Sequence, residues 1–233
     1  MTRNTNARIA GVTFLAYIAA GITSLMLTGP ATRGDGIAAR LANVAQHATD
    51  LRITIVLGFV MSLSAIVLGV TLYAITRDED RDLAMLGLTC RVLEGGVDSV
   101  STTLGLLWLV TATGPNAPDT STAHVLGTFL LMPGVATGAV FFAVGSTLFC
   151  SLLLRGRMVP VPLAWLGVLA SLLLVVILPL QISGLAGSMN WSGAATWLIW
   201  FPMLVFEVTL ALWFIIKGVA APQTTRNRPA SAV

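Results

Sequence analysis

Three ionisable residues and a threonine follow one another along one face of an apolar segment. Arg91, Glu94, Asp98 and Thr102 are spaced by three, four and four residues. At about 100° per residue of α-helix these side chains form one narrow polar stripe. Ionisable groups are costly inside a bilayer, so we expect the stripe to face the interior of a helix bundle. A buried acid that holds and releases a proton suits a proton-coupled carrier or an acid-catalysed membrane enzyme.

A further acid, Glu207, lies in the last apolar segment of the chain. Counted from the cytoplasmic ends of their segments, Arg91, Glu94 and Glu207 all lie roughly 12–16 Å deep, and we therefore expect them to meet. One arginine facing three carboxylates leaves an excess of negative charge, which protonation of one carboxyl relieves. Trp200 precedes Glu207 by seven residues and shares its face. Aromatic side chains beside an acid can line a pocket for a lipophilic or cationic ligand.

These patterns define two sets of candidate site residues. The predicted proton carriers are Glu94, Asp98 and Glu207, and the predicted substrate-binding residues are Arg91, Thr102 and Trp200. The structural alternative is an ion pair from Arg91 to Glu207 or Glu94 that only fixes which helices meet. Asp98 lies nearer the bilayer middle, and the spans contain no second basic residue. A function, or an aqueous cavity beside it, is therefore favoured for Asp98.

The segments that position these residues are membrane spans. Of 233 residues, 56% are hydrophobic and 10% are charged, against about a quarter charged in soluble domains. The apolar blocks match a bilayer core crossed at about 1.5 Å per residue, and they lack the alternation of a barrel. We predict an all-α polytopic transmembrane bundle of six helices in one domain, residues 1–219. Its spans lie at about 9–27, 53–75, 83–110, 125–154, 163–185 and 194–216.

The basic residues predict the orientation of this bundle. If the N-terminus is cytoplasmic, nine basic residues lie on the cytoplasmic side and three outside. The cytoplasmic set is Arg3, Arg8, Arg77, Arg81, Arg155, Arg157, Lys217, Arg226 and Arg228, and the outer set is Arg33, Arg40 and Arg52. Lysine and arginine are retained inside, so both termini are predicted to be cytoplasmic. Residues 220–233 have too little apolar content to fold and are predicted to form a disordered cytoplasmic tail.

Several features limit the classes of function. His47 and His124 are the only histidines and lie in or beside outer connections, which disfavours zinc hydrolases and haem proteins. We expect no metal and no cofactor. The acidic turn 78–82 contains interleaved arginines, which favours a solvated turn over a magnesium site. The basic residues lie in short turns rather than on one soluble face, so no nucleic acid is expected as a partner.

Two smaller features concern architecture. Residues 36–49 read as a short amphipathic helix on the outer surface, either an interfacial connector or a lid over an outward cavity. Gly134, Gly138 and Gly145 give the fourth span a small-residue seam for close helix contact, and Pro133 should kink it. Cys90 and Cys150 lie inside apolar blocks and should pack as small hydrophobes.

Four stretches carry a resemblance to a known family. They are Ala7–Gly11, Cys90–Glu94, Arg155–Pro160 running into Leu163–Val168, and Phe206–Glu207. In these the chain resembles a bacterial six-helix membrane family catalogued as a domain of unknown function, DUF4386-like. The resemblance implies a multi-pass protein of the bacterial cytoplasmic membrane and brings no activity to carry over. The acidic turn Asp78–Asp80 departs from the more basic or Asn-containing connector expected there.

Three hypotheses of function remain open. The first is a small-molecule or proton-coupled membrane carrier with its site between the third and sixth spans. The second is a membrane-embedded enzyme that uses a protonated carboxylic acid on an isoprenoid or other lipid substrate. The third is a non-catalytic assembly or sensor subunit. The expected partners are membrane lipids and a lipophilic small molecule, and the sequence leaves the oligomeric state open.

Overall fold

The structure is a computed structural model, and it describes residues 1–113, 137–183 and 194–220. All regular secondary structure in those ranges is helical, which confirms the predicted all-α class. The helices are α1 (Arg3–Ala31), α2 (Ile37–Gln46), α3 (Ala48–Thr76), α4 (Arg81–Thr113), α5 (Thr137–Arg155), α6 (Val161–Ile182) and α7 (Ala194–Ile216).

Five of these helices are long and apolar enough to cross a membrane. They are α1, α3, α5, α6 and the part of α7 from Trp197 onward. α4 has 33 residues, but Arg91, Glu94 and Asp98 stand along its middle and it is not one of the five. A chain with five such helices is a multi-pass membrane protein.

The six long helices form a closed ring in chain order. Each of α1, α3, α4, α5 and α6 packs against the next long helix, and α7 packs back against α1. Buried apolar side chains fill the interior, among them Phe14, Leu72, Phe149 and Phe206. α4 turns its polar face toward the same interior, where the side chains of Arg91 and Glu94 are each 1% exposed. The ring therefore shields Arg91 and Glu94 from the outer surface of the bundle.

Glycines allow neighbouring helices to approach closely at several points of the ring. A Cβ added at Gly11 of α1 would lie 2.6 Å from the carbonyl oxygen of Ala211 on α7. Gly138 and Gly145 of α5 both face α4, which confirms the predicted small-residue contact at these two positions. Gly134 and Pro133 lie outside the described residues.

Ion pairs join several chain segments at one end of the bundle. The Arg3 guanidinium lies 3.4 Å from the Asp78 carboxylate, and that of Arg155 lies 3.4 Å from Asp80. A backbone hydrogen bond of 3.0 Å connects residues 217–220 to the turn between α5 and α6. The start of α1, the α3–α4 turn, the α5–α6 turn and the end of α7 therefore meet. The acidic turn has the ion-paired, exposed character expected of a solvated connector.

The helix boundaries differ from the predicted spans at several ends. α1 begins at Arg3 rather than near residue 9, because the Thr2 side chain accepts a hydrogen bond of 3.1 Å from the Thr5 amide and caps the first turn. α6 ends at Ile182, three residues earlier than predicted. The first part of the predicted fourth span, His124 and the predicted tail beyond residue 220 lie outside the described residues.

The predicted short amphipathic helix is confirmed as α2. Its Val44 packs against Ala31 at the end of α1 and Leu51 in α3, which forms a small apolar cluster of its own. α2 thereby covers the junction between two long helices, as an interfacial connector would. This packing favours the connector over the lid.

Candidate functional site

The polar face of α4 reaches the interior because small residues on both neighbouring helices leave room for it. A Cβ added at Gly69 of α3 would lie 2.9 Å from the Cβ of Arg91. On the other side, a Cβ added at Gly145 of α5 would lie 3.1 Å from the Cβ of Cys90 and 3.6 Å from the Cγ of Arg91. Larger side chains at these glycines would force α4 outward and displace the guanidinium.

Arg91 and Glu94 form a buried ion pair within α4. Arg91 Nη1 donates to Glu94 Oε2 at 2.7 Å, as a residue three positions apart on a helix can. The guanidinium carbon also lies 4.9 Å from the ring centroid of Phe142 and 6.0 Å from that of Phe14. The predicted pairing of Arg91 with an intramembrane acid is thus confirmed, with Glu94 as the partner.

The second oxygen of Glu94 has a partner that sequence reasoning missed. The Tyr17 hydroxyl of α1 donates to Glu94 Oε1 at 2.9 Å. The available signal was that Tyr17 is one of only two tyrosines and stands in the middle of the first span. A hydroxyl at that depth needs a hydrogen-bond partner. Together, Arg91 and Tyr17 occupy both oxygens of Glu94.

Glu207 reaches the same interior from α7 but is not paired in this way. Its side chain is 5% exposed, and Oε1 has no hydrogen-bond partner among the residues that the structure describes. Within that part of the chain, Glu94 is the only carboxylate within 4.0 Å of the Arg91 guanidinium. The alternative of an Arg91–Glu207 bridge is therefore wrong. Glu94 is three residues from Arg91 on the same helix, so its carboxylate is within reach of the guanidinium without a contribution from α7.

Asp98 lies one turn beyond Glu94 and faces α5. A Cβ added at Gly138 would overlap the Asp98 Oδ1 atom, so this glycine provides the space for the carboxylate. In the described ranges Asp98 has no ion-pair partner. Asp98 and Glu207 are thus two acids in the ring interior without a paired cation in that part of the protein.

A cavity of about 300 Å³ connects these acids. Its walls come from α1, α4, α5 and α7, and they include Tyr17, Glu94, Asp98, Phe142 and Glu207. Apolar and aromatic side chains make up most of the remaining lining. Small-molecule sites in proteins have this character, namely apolar walls with a few convergent polar groups.

The cavity extends between α1 and α7, away from the tight contact at Gly11. Leu25 on α1 and Trp197 and Phe201 on α7 line it while being 55%, 51% and 58% exposed. These residues lie at the opposite half of the two helices from Gly11 and Ala211. The cavity therefore reaches the apolar outer surface of the bundle, as far as the described residues define that surface.

The structure brings together four of the six predicted site residues. Glu94, Asp98, Glu207 and Trp200 all line the cavity. Arg91 lies behind Glu94 and borders a separate small void of about 10 Å³.

Thr102 does not line the cavity. Its side chain points to α3, where a Cβ added at Gly58 would overlap its Oγ1 atom. Thr102 lies four residues after Asp98, so its side chain points about 40° away from that of Asp98 around the helix axis. That rotation is enough to cross from the α5 side of the stripe to the α3 side.

Comparison with known families assigns the chain. Residues 9–218 match the model of the family described as Domain of unknown function (DUF4386). The chain belongs to this family. All described residues that line the cavity fall inside the matched segment. Comparisons with curated proteins and with solved structures gave no match.

Proposed function

We propose that this chain is a proton-coupled membrane carrier for a lipophilic small molecule, with the cavity as its binding site. One observation carries the proposal: an apolar cavity of about 300 Å³ ends on three carboxylates, of which Arg91 pairs with one. The apolar walls suit a ligand taken from the bilayer. The acids suit the gain and loss of protons.

In this proposal α4 also crosses the membrane, which brings the number of membrane spans to six. The side chains of Arg91 and Glu94 are buried in the ring interior, which lowers the cost of a charged spanning helix. The meeting of the chain's start, two turns and the end of α7 at one end supports an even number of crossings. The excess of basic residues at that end supports a cytoplasmic position. We propose the bacterial cytoplasmic membrane as this membrane, as the family resemblance implies.

Charge neutrality provides the coupling. Arg91 and Glu94 neutralise each other, which leaves Asp98 and Glu207 without a countercharge in the described bundle. Two unpaired carboxylates in a low-dielectric interior are strongly disfavoured, so each favours a proton or an incoming cation. A ligand whose binding changes that balance must exchange with protons. That exchange is the coupling that a carrier requires.

A lipid-modifying enzyme is the second candidate, and Glu207 is the observation that favours it. Glu207 lines the apolar cavity and thereby places an acid where a lipid chain could meet it. A carboxylic acid in this setting can donate a proton to a hydrocarbon double bond or a leaving group. The substrate class would be an isoprenoid or another lipid.

Vesicles reconstituted with the protein test the carrier proposal. A pH-sensitive dye is trapped inside, and lipophilic probes of cationic, neutral and anionic classes are added outside. We expect at least one class to move protons faster than in protein-free vesicles, and an imposed pH gradient to accumulate that probe. Asp98→Asn and Glu207→Gln should abolish both effects.

Asp82→Asn and Glu79→Gln are the matched controls, since they make the same chemical changes outside the cavity. Both should retain the proton flux of the unchanged protein. Absence of flux with every probe would refute the carrier. Conversion of an isoprenoid to a new product, detected by mass spectrometry and lost in Glu207→Gln, would instead establish the enzyme.

A further inference from the structure

We propose that the cavity selects a lipophilic organic cation, a hydrophobic amine or quaternary ammonium, whose charged group lies between Asp98 and Glu207. This inference rests on the proposed function and names the ligand class of the same site. It is carried by the distribution of charge around the cavity, by the lack of a cation paired with Glu207 among the described residues and by the aromatic walls. Each of these is independent of the family assignment.

The acids of the cavity are not equivalent. Both oxygens of Glu94 already have partners, at 2.7 Å from Arg91 and 2.9 Å from Tyr17. Glu207 is 5% exposed, and its Oε1 atom lacks a hydrogen-bond partner within the described chain. A buried acceptor without a donor loses its hydration, and no hydrogen bond within the protein compensates for that loss of free energy. This oxygen is itself fully buried, so a positive group in the cavity would act on the Glu207 carboxylate through its charge rather than through a hydrogen bond to Oε1.

Aromatic rings line the same cavity as the two acids. Trp200 and Phe142 line the cavity with their ring centroids 5.9 Å apart. The Arg91 guanidinium lies 4.9 Å from the centroid of the Phe142 ring, within the distance of a cation–π contact. The electron-rich faces of Trp and Phe attract cations, and the attraction increases when water is excluded.

Other ligand classes fit these walls less well. An anion would be repelled by either acid once that acid ionised, and a neutral molecule would gain burial but no charge interaction with Asp98 or Glu207. A hard metal ion needs about six oxygen ligands, whereas most of the cavity lining is apolar. A cation on an apolar body complements both the acids and the walls.

The bound cation would replace protons on the acids. The titratable groups that share a cavity or void lining with Glu207 are Tyr17 from α1, Arg91, Glu94 and Asp98 from α4, and Cys150 from α5. Tyr17 and Arg91 are already committed to Glu94. Binding of a monovalent cation therefore releases up to one proton from Asp98 or Glu207 for each positive charge gained. Cation affinity must then fall as the solution becomes more acidic.

Three probes of nearly the same shape test the ligand class. Benzyltrimethylammonium is cationic, neopentylbenzene is its neutral carbon analogue, and benzylsulfonate is anionic. The full-length protein is placed in nanodiscs of phosphatidylcholine, and binding is followed by tryptophan fluorescence, because Trp197 and Trp200 line the cavity. The quaternary ammonium has no acidic proton, so any proton released on its addition comes from the protein.

We expect the cation to bind about tenfold or more tightly than the neutral analogue, with the anion weakest. Its affinity should decrease from mildly basic to mildly acidic solution, and binding should release protons into a weakly buffered dye solution. Glu207→Gln should reduce cation affinity about tenfold while leaving the neutral analogue unaffected. Glu79→Gln, in the α3–α4 turn, should bind all three probes as the unchanged protein does.

Equal affinity for the cation and its neutral analogue would overturn the proposal, as would cation binding without proton release. The proton release is measured on the unchanged protein, so it decides the proposal even if Glu207→Gln does not fold. Failure here is distinct from failure of the carrier. Proton-coupled movement of only neutral or anionic probes in vesicles would uphold the carrier and refute the cation site. Cation binding with proton release but no transport would uphold the cation site and refute the carrier.

Discussion

Replacement of Arg91 by leucine tests whether the buried ion pair organises the bundle. Arg91 and Glu94 are each 1% exposed and 2.7 Å apart, so Arg91→Leu leaves a buried carboxylate without its cation. Removal of one partner of a buried pair costs about 3–5 kcal/mol. By the scaling found for chains of 150–250 residues, this loss corresponds to a drop in melting temperature of roughly 6–20 °C.

The double substitution Arg91→Leu with Glu94→Leu supplies the matched comparison. It removes both charges, so most of the stability should return, because an apolar pair can replace a buried ion pair at little cost. A residual loss of about 1 kcal/mol is expected, since the Tyr17 hydroxyl then lacks its acceptor. Arg81→Leu, the same change at an exposed position of α4, should alter stability by about 0.5 kcal/mol or less.

Thermal unfolding in mild detergent can be followed with a thiol-reactive fluorophore. Cys90 and Cys150 are both buried and free, so they react only when the bundle opens. A melting temperature for Arg91→Leu equal to that of the unchanged protein would refute the argument that the pair is buried. A double variant no more stable than Arg91→Leu would show that the loss comes from packing rather than from a stranded charge.

Three further predictions concern an acid of the cavity, a close helix contact and the membrane topology that the basic residues of the sequence indicate. Asp98→Asn should keep the fold, because it preserves volume and a hydrogen-bonding oxygen, but abolish proton-coupled probe movement in vesicles; full activity would remove Asp98 from the site. Gly11→Val should lower the melting temperature, since its Cβ would lie 2.6 Å from Ala211 O, whereas Gly29→Ala has nothing within 4 Å to meet and should stay near the unchanged value. Reporter fusions at positions 78, 156 and the C-terminus should read cytoplasmic and those at 116 and 189 external; an external C-terminus would contradict six spans.

The sequence by itself determined the helical class and most helix positions, because these depend on the solvent and on local geometry. A bilayer requires every backbone polar group to be paired, and blocks that lack the alternation of a barrel can meet this requirement only as helices. The Arg91–Glu94 contact is local in the same sense, since residues three apart on a helix are neighbours. α2 could also be predicted, because its amphipathic pattern contrasts with the uniformly apolar segments around it.

Contacts between helices depended on rotations and crossings that no local pattern specifies. Only the tertiary structure paired Tyr17 with Glu94, because residues 77 positions apart meet through the packing of α1 against the ring. It also divided the stripe of α4, directing Asp98 to Gly138 on α5 and Thr102 to Gly58 on α3. The sequence placed Glu207 at the right depth, but depth does not fix direction. The rotation of α7 about its axis directs Glu207 toward the cavity, and Arg91 pairs with Glu94 instead.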